Sequence, residues 1–308
     1  MTEGGAVEEW SDVDRAALVA LMRLDAGRPE WSHLTEGALE AGSPRVIWET
    51  KYPADLLGPN AHQHVFDKAL QDVRDWRGGQ YRLHTLADRL YPARLRSVRK
   101  APPLVFTHGA NVPDDAGVCV VGSRKVSTAG IRFARTVAEG LVDRGLTVVS
   151  GLAAGVDTAA HQAALHRGGR TVAVLGNGFS HVYPAANREL QVEIAARGML
   201  LSHFLPERRP DKKSFPARNA TMSAYAMATV IVEATEASGT RHQAWAAVGH
   251  GRPVIITETV ATSTTWGGDL AGRPSVYVVD SADGALRAVD VILSERQRVD
   301  RMLADVLG

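Results

Sequence analysis

Val118-Cys119-Val120-Val121-Gly122-Ser123-Arg124 decides the architecture of the chain. Four apolar residues in a row show no alternation, so both faces of the segment are expected to be buried, and the run stops at a glycine and a small hydroxyl. Such strands belong to parallel sheets covered by helices on both sides. The same signature recurs downstream. Strands are expected at 118–122, 147–151, 171–176, 199–204, 229–234, 253–257 and 276–280, and helices near 131–144, 157–167, 187–197, 218–227 and 243–249. Strict strand–helix alternation implies an α/β, doubly wound, mostly parallel sheet. Ligands of such sheets sit at the carboxyl ends of the strands. The loops that follow the strands are therefore where chemistry is expected.

Upstream the pattern changes. Residues 1–80 open acidic and lack strand alternation, with an apolar helical run from Ala16 to Met22 preceded by Ser11 and Asp14, a helix-start pair. They predict a small helical N-terminal domain. Residues 81–116 form a basic connecting segment leading into the core: Arg82, Arg89, Arg94, Arg96, Arg99 and Lys100 stand against Asp88 alone between Tyr81 and Lys100. A solvated helical face is the favoured account of these arginines, and the flank of a phosphate track is the functional one. Ala101-Pro102-Pro103 breaks the segment before a short strand at Leu104-Val105-Phe106-Thr107. Residues 117–308 are the α/β domain.

The bulk numbers set bounds. With 308 residues, 45% hydrophobic and 22% charged, the chain has ordinary globular composition. Its net charge of +1 provides no global attraction for a polyanion, so any nucleic-acid site must be local. The single cysteine, Cys119, excludes an intramolecular disulfide and reads as a buried strand residue. No leader and no apolar run near the ~20 residues of a membrane span are found, which predicts a cytoplasmic protein without membrane contact. Eleven histidines have no supporting ligand pattern, so neither a metal site nor a cofactor is expected.

Several loops carry candidate chemistry. Gly122-Ser123-Arg124, with Gly130 at the next helix start, has the makings of a phosphate turn: glycine permits close backbone approach and Arg124 supplies a bidentate donor. A tight turn alone would not require the arginine. Ser150-Gly151-Leu152-Ala153-Ala154-Gly155-Val156-Asp157 is a small-residue floor. Asp157 reads first as a helix cap, with a catalytic Asp157–His161 pair as the weaker alternative. Gly176-Asn177-Gly178 and Tyr183-Pro184 add to the rim. From Glu207 to Asn219 five cations stand against two acids around Phe215. There Lys212, Lys213 and Arg218 suit phosphates, and Phe215 suits a stacked base. Ser238-Gly239-Thr240 offers hydroxyls and free N–H groups at another helix start.

Taken in order, these segments resemble the DprA/Smf family of DNA-processing proteins. The resemblance covers residues 84–257 and includes Asp88 to Leu95, Val149 to Asp157 with His161, Thr171 to Gly178, Gly198 to Ser202, Phe215 to Asn219 and Val232-Glu233-Ala234 before Ser238-Gly239. It implies an extended Rossmann-like fold that binds single-stranded DNA in a basic pocket, self-associates as a homodimer and passes DNA to a RecA-type recombinase, with no known chemistry of its own. By matching position the pocket would comprise Arg124, Lys212 or Lys213, Phe215, Arg218 and Asn219. Gly122, Ser123, Gly151, Ser238, Gly239 and Thr240 would supply its floor and edge. The chain departs from the family pattern at Ser202-His203 (Ser-Glu in the family), at Arg218-Asn219-Ala220 (Arg-Asn-Arg) and at Thr257-Glu258 (Pro-Gly). Beyond residue 257 the likeness fades, and nothing there resembles the winged-helix appendix of many members. The rival resemblance is to LOG-type nucleotide-binding proteins, either phosphoribohydrolases or sensors. Gln243 occupies their catalytic glutamate position, and an amide cannot act as general acid or base.

Overall fold

The computed structural model describes residues 9–25, 32–53 and 61–307; the acidic residues 1–8 that open the chain lie outside them. Four helices come first: α1 (Asp12–Leu24), α2 (Ser32–Glu40), α3 (Pro44–Lys51) and α4 (Gln63–Gly78). Helix α1 starts where its sequence says. Ser11 Oγ accepts from Asp14 N–H while the Asp14 carboxylate accepts from Ser11 N–H, so two otherwise orphaned donors are satisfied. Ala16 to Met22 are buried, and they pack with Trp48, Val73 and Trp76 onto Leu104 and Phe106.

The remaining elements are β1 (Arg82–Thr85), α5 (Ala93–Arg96), β2 (Leu104–Gly109), β3 (Gly117–Val121), α6 (Thr128–Asp143), β4 (Thr147–Ser150), α7 (Val156–His166), β5 (Thr171–Val174), α8 (Arg188–Arg197), β6 (Met199–Ser202), α9 (Ser214–Tyr225), β7 (Ala228–Ile231), α10 (Thr240–Gly249), β8 (Val254–Thr257), α11 (Glu258–Ser263), α12 (Thr265–Ala271), β9 (Val276–Val279) and α13 (Ala282–Leu307). The strands form one nine-stranded sheet in the order β1-β2-β6-β5-β4-β3-β7-β8-β9. All pairings from β6 to β9 are parallel, and β2 runs antiparallel to both β1 and β6. The α/β, doubly wound, mostly parallel architecture is therefore present, with its helical region before it.

Residues 81–116 contribute two strands to this sheet. Phe106 pairs with Ser202 and with Leu83, placing the segment at the sheet's edge as well as in front of the core. Its arginines are not one solvated face either: Arg94 is buried and donates to the Asp115 carbonyl, whereas Arg89 and Arg99 are exposed. Along β3 the side chains alternate between two cores. Val118 and Val120 join the α6, α7 and α13 layer, and Cys119 and Val121 join the α9, α10 and α12 layer. That is why the strand is apolar at every position. Order reverses at β3, which has β4 on one side and β7 on the other, so a crevice opens at their carboxyl ends. Among the described residues no helix is long and apolar enough to cross a membrane.

Candidate nucleic-acid interface

Three loops meet at that crevice and are tied together by their own polar groups. Ser123 N–H donates to the Glu233 carbonyl at 2.7 Å, and Val156 N–H donates to the Ser123 carbonyl at 3.3 Å. The Ser123 hydroxyl folds back on its own turn, donating to Lys125 O and accepting from Lys125 N–H. The expected phosphate turn is thus corrected in one respect. Ser123 spends its N–H and hydroxyl inside the protein, and the start of α6 carries the Glu233 carboxylate, which accepts from Ser127 N–H and Oγ. An anion already occupies that helix end. Sequence reasoning assigns Glu233 no role, and its signal is a carboxylate placed directly after an apolar strand.

Close approach explains the glycines here. A Cβ on Gly155, whose φ is +84°, would collide with the Ser123 and Arg124 carbonyls, and a Cβ on Gly151 would enter the Arg218 guanidinium. Between them Leu152 holds φ +60°, an uncommon conformation for a non-glycine residue. Its side chain is fully buried beside Leu165 and Leu175, and its carbonyl accepts from Asn187 Nδ2 at 2.8 Å.

Arg218 brackets the floor from below. Its Nη1 donates to the Gly151 carbonyl and, at 2.9 Å, to the Val174 carbonyl, while Nε donates to Asn219 Oδ1 at 3.0 Å. Asn219 in turn reaches the Gly239 carbonyl at 3.3 Å, which ties α9 to the Ser238-Gly239-Thr240 turn. Burial lowers the pKa of Arg218, and the Asp157 carboxylate opposes that shift. Asp157 is itself raised by burial and pulled back by Arg218 and by N–H groups of Ala153 and Gly151. Gly155, not Asp157, is the N-cap of α7, so the helix-cap expectation for Asp157 gives way to loop bracing. No Asp157–His161 pair forms. Thr171 Oγ1 donates to the Val148 carbonyl, so the 2.7 Å contact with His161 Nδ1 makes that nitrogen the donor. Burial and then the Arg218 charge hold the His161 imidazole down at about 3, so it is neutral near pH 7.

Above this floor lies an aromatic–cation stack. Phe215 falls in the first turn of α9, which begins at Ser214, four residues before the expected start at 218, because Pro216 is tolerated that close to a helix start. Its half-buried ring lies 5.1 Å from Arg124 Cζ, 6.0 Å from Arg218 Cζ and 5.4 Å from the Tyr183 ring. Gly176 lets it settle: a Cβ there would stand 2.8 Å from the ring. Arg124 is exposed.

The structure thus brings Gly122, Ser123, Arg124, Gly151, Phe215, Arg218, Asn219 and Gly239 to one edge, with Ser238 and Thr240 in the adjoining turn. Lys212 and Lys213 face elsewhere. They are exposed and line a separate groove on the far flank of α9, with His203, Ala217 and Ala220. Among the described residues no cluster of three histidine, cysteine, aspartate or glutamate side chains is placed to hold a metal ion.

A family model described as DNA recombination-mediator protein A matches residues 82–272. Protein Smf of Synechocystis sp. is 34% identical over 216 residues, which cover 67% of this chain and 50% of that protein, so the match spans half the relative's length. The X-ray structure of DNA processing protein A (DprA) from Streptococcus pneumoniae superposes with a TM-score of 0.69 at 26% identity, covering 91% of this chain and 98% of that one. DNA processing protein A from Helicobacter pylori, described for its single-stranded DNA binding mode, shares the fold with a TM-score of 0.61 at 23% identity, covering 69% and 96%. With the family model matched over more than half of its length, the chain belongs to the DNA recombination-mediator protein A family, that of DprA and Smf.

Proposed function

We propose that this protein binds single-stranded DNA at the carboxyl edge of β3, β4 and β7 by phosphate contacts and base stacking, with weak sequence preference. The carrying observation is the Arg124–Phe215–Arg218 stack at the topological switch point, because a cation and an aromatic face side by side are what an unpaired nucleotide requires. The relative from Helicobacter pylori, named for single-stranded DNA binding, supports the same ligand class. On this reading the chain is a binding protein and not an enzyme. It protects single strands in the cytoplasm, acts as a homodimer and hands DNA to a RecA-type recombinase. Gln243, buried to 1% exposure, has an amide where a phosphoribohydrolase would need a carboxylate at its substrate, which disfavours the rival.

Fluorescence anisotropy of a labelled oligo-dT, beside a duplex competitor and the Arg124→Ala variant, tests the proposal. Binding that duplex fails to compete and Arg124→Ala weakens is the expected result. No binding at low salt would overturn it and direct the search to mononucleotides.

A further inference from the structure

The groove on the far flank of α9 has a volume of about 860 Å³, within the range of pockets that enclose an organic group, roughly 300–1,000 Å³. Its floor is apolar and nearly flat in chemistry, built from Val98, Pro102, Pro216, Ala217 and Ala220. Its rim carries Arg99, Lys100, Lys212 and Lys213, and no lining residue is acidic. Two neighbouring carboxylates have partners of their own. Asp211 accepts from Lys213 N–H and Ser214 N–H and pairs with Arg208, and Glu36 meets Arg99 only loosely at 3.8 Å between exposed side chains. Lys212 and Lys213 have no carboxylate within ion-pair distance among the described residues.

Two further side chains give the groove hydrogen-bonding capacity. His203 and His250 line it, their Nδ1 atoms held by Thr221 Oγ1 at 2.9 Å and Ser223 Oγ at 3.0 Å. Burial pushes the His203 imidazole down to about 3 and lowers that of His250, so neither adds a full charge near neutral pH. A neutral imidazole can meet the edge of a base as donor or acceptor. Apolar floor, cationic rim and neutral polar groups at the back describe a site for a base with its phosphate outside.

Continuity identifies the occupant. Pro216 and Ala217 face the groove, while Phe215 and Arg218, their immediate neighbours on α9, face the stack. The exposed Lys212-Lys213 turn lies at the start of the same helix and forms part of the groove's rim. We infer that the groove is a second nucleotide subsite for the same single strand, which crosses the α9 start over Lys212 and Lys213 and places a further base on the Ala217–Ala220 floor. This rests on the single-stranded DNA reading of the first site.

The test compares a trinucleotide of dT, short enough for one site, with an oligo-dT of about twelve nucleotides, within the span of about 4–16 that such surfaces track. Ala220→Phe fills the groove and Arg99→Glu reverses charge on a rim side chain that is 90% exposed. Both variants are expected to bind the trinucleotide within twofold of the parent protein. The longer strand should weaken about tenfold, equivalent to ~1.4 kcal/mol. Unchanged binding of the longer strand in both variants overturns the subsite and leaves the first site standing. Equal losses on both lengths also overturn it, because the effect then travels through α9. Should Ala220→Phe fail to fold, Arg99→Glu decides alone. If the parent protein binds neither length, the first-site reading itself fails.

Discussion

The guanidinium carbon of Arg124 lies 5.1 Å from the centroid of the Phe215 ring, and the two residues, one in the loop after β3 and the other in the first turn of α9, stand 91 positions apart in the chain. A cation over an aromatic face is a favourable pair by itself, worth about 0.5–1 kcal/mol at exposed sites. A base that stacks on the ring must share or take that face. Phe215→Ala is therefore expected to cost ~1–3 kcal/mol of oligo-dT affinity. Phe215→Trp, which keeps a stacking surface, should retain most of it. Anisotropy titrations of the two variants check this, and equal affinity in Phe215→Ala and the parent would remove Phe215 from the site.

Arg218 was expected to contact phosphates, but its hydrogen bonds show a different main duty. It is 5% exposed, with Nη1 spent on the Gly151 and Val174 carbonyls and its charge facing Asp157. Arg218→Met leaves the Gly151 and Val174 carbonyls without this buried donor and removes the positive charge that favours the ionised Asp157 carboxyl, and each buried polar group left unsatisfied costs about 1–3 kcal/mol. Urea unfolding should show the loss. A variant of parental stability that has lost DNA affinity would return Arg218 to the role of a direct phosphate ligand.

Much of this was legible beforehand, for identifiable reasons. Strands such as Val118 to Val121 announce themselves because both of their faces are covered, and the crevice follows from the strand–helix alternation. The placement of β2 was not readable: Phe106 pairs with Ser202, and a partner so distant leaves no local pattern. Nor could periodicity separate Lys212 and Lys213 from Phe215, since that requires knowing that α9 begins at Ser214. Two departures from the family pattern, His203 and Ala220, looked unrelated in the sequence. In the fold both line the groove beside α9.

Salt dependence separates the cations by role. With about four phosphates neutralised, log affinity against log salt should slope near −3, since a single strand contributes ~0.7 per phosphate. Arg124, exposed and paired with no carboxylate among the described residues, should carry one of these contacts. Arg124→Ala is expected to flatten the slope by ~0.7. Titrations across a salt series measure it directly. A slope near zero in the parent protein would show that phosphates are not what binds.

Buried neutral histidines make stability depend on pH. His161 and His203 are both held down at about 3, by burial first and then by the Arg218 charge, against an ordinary value of 6.5. In the unfolded chain each takes up a proton near 6.5, so below that pH the unfolded state binds more protons than the folded one. Their contribution to stability is complete above about pH 6.5 and declines progressively as the pH falls toward 3. At pH 5 the unfolded state has gained roughly 2 kcal/mol per histidine, because each pH unit below 6.5 is worth about 1.4 kcal/mol. Urea midpoints should therefore fall steeply between pH 7 and pH 5. His203→Gln, which keeps a hydrogen-bonding group beside Thr221 but cannot titrate, should reduce that fall by about half of the pair's share. A parent protein whose midpoint is flat over this interval would mean that the two imidazoles charge without leaving their sites.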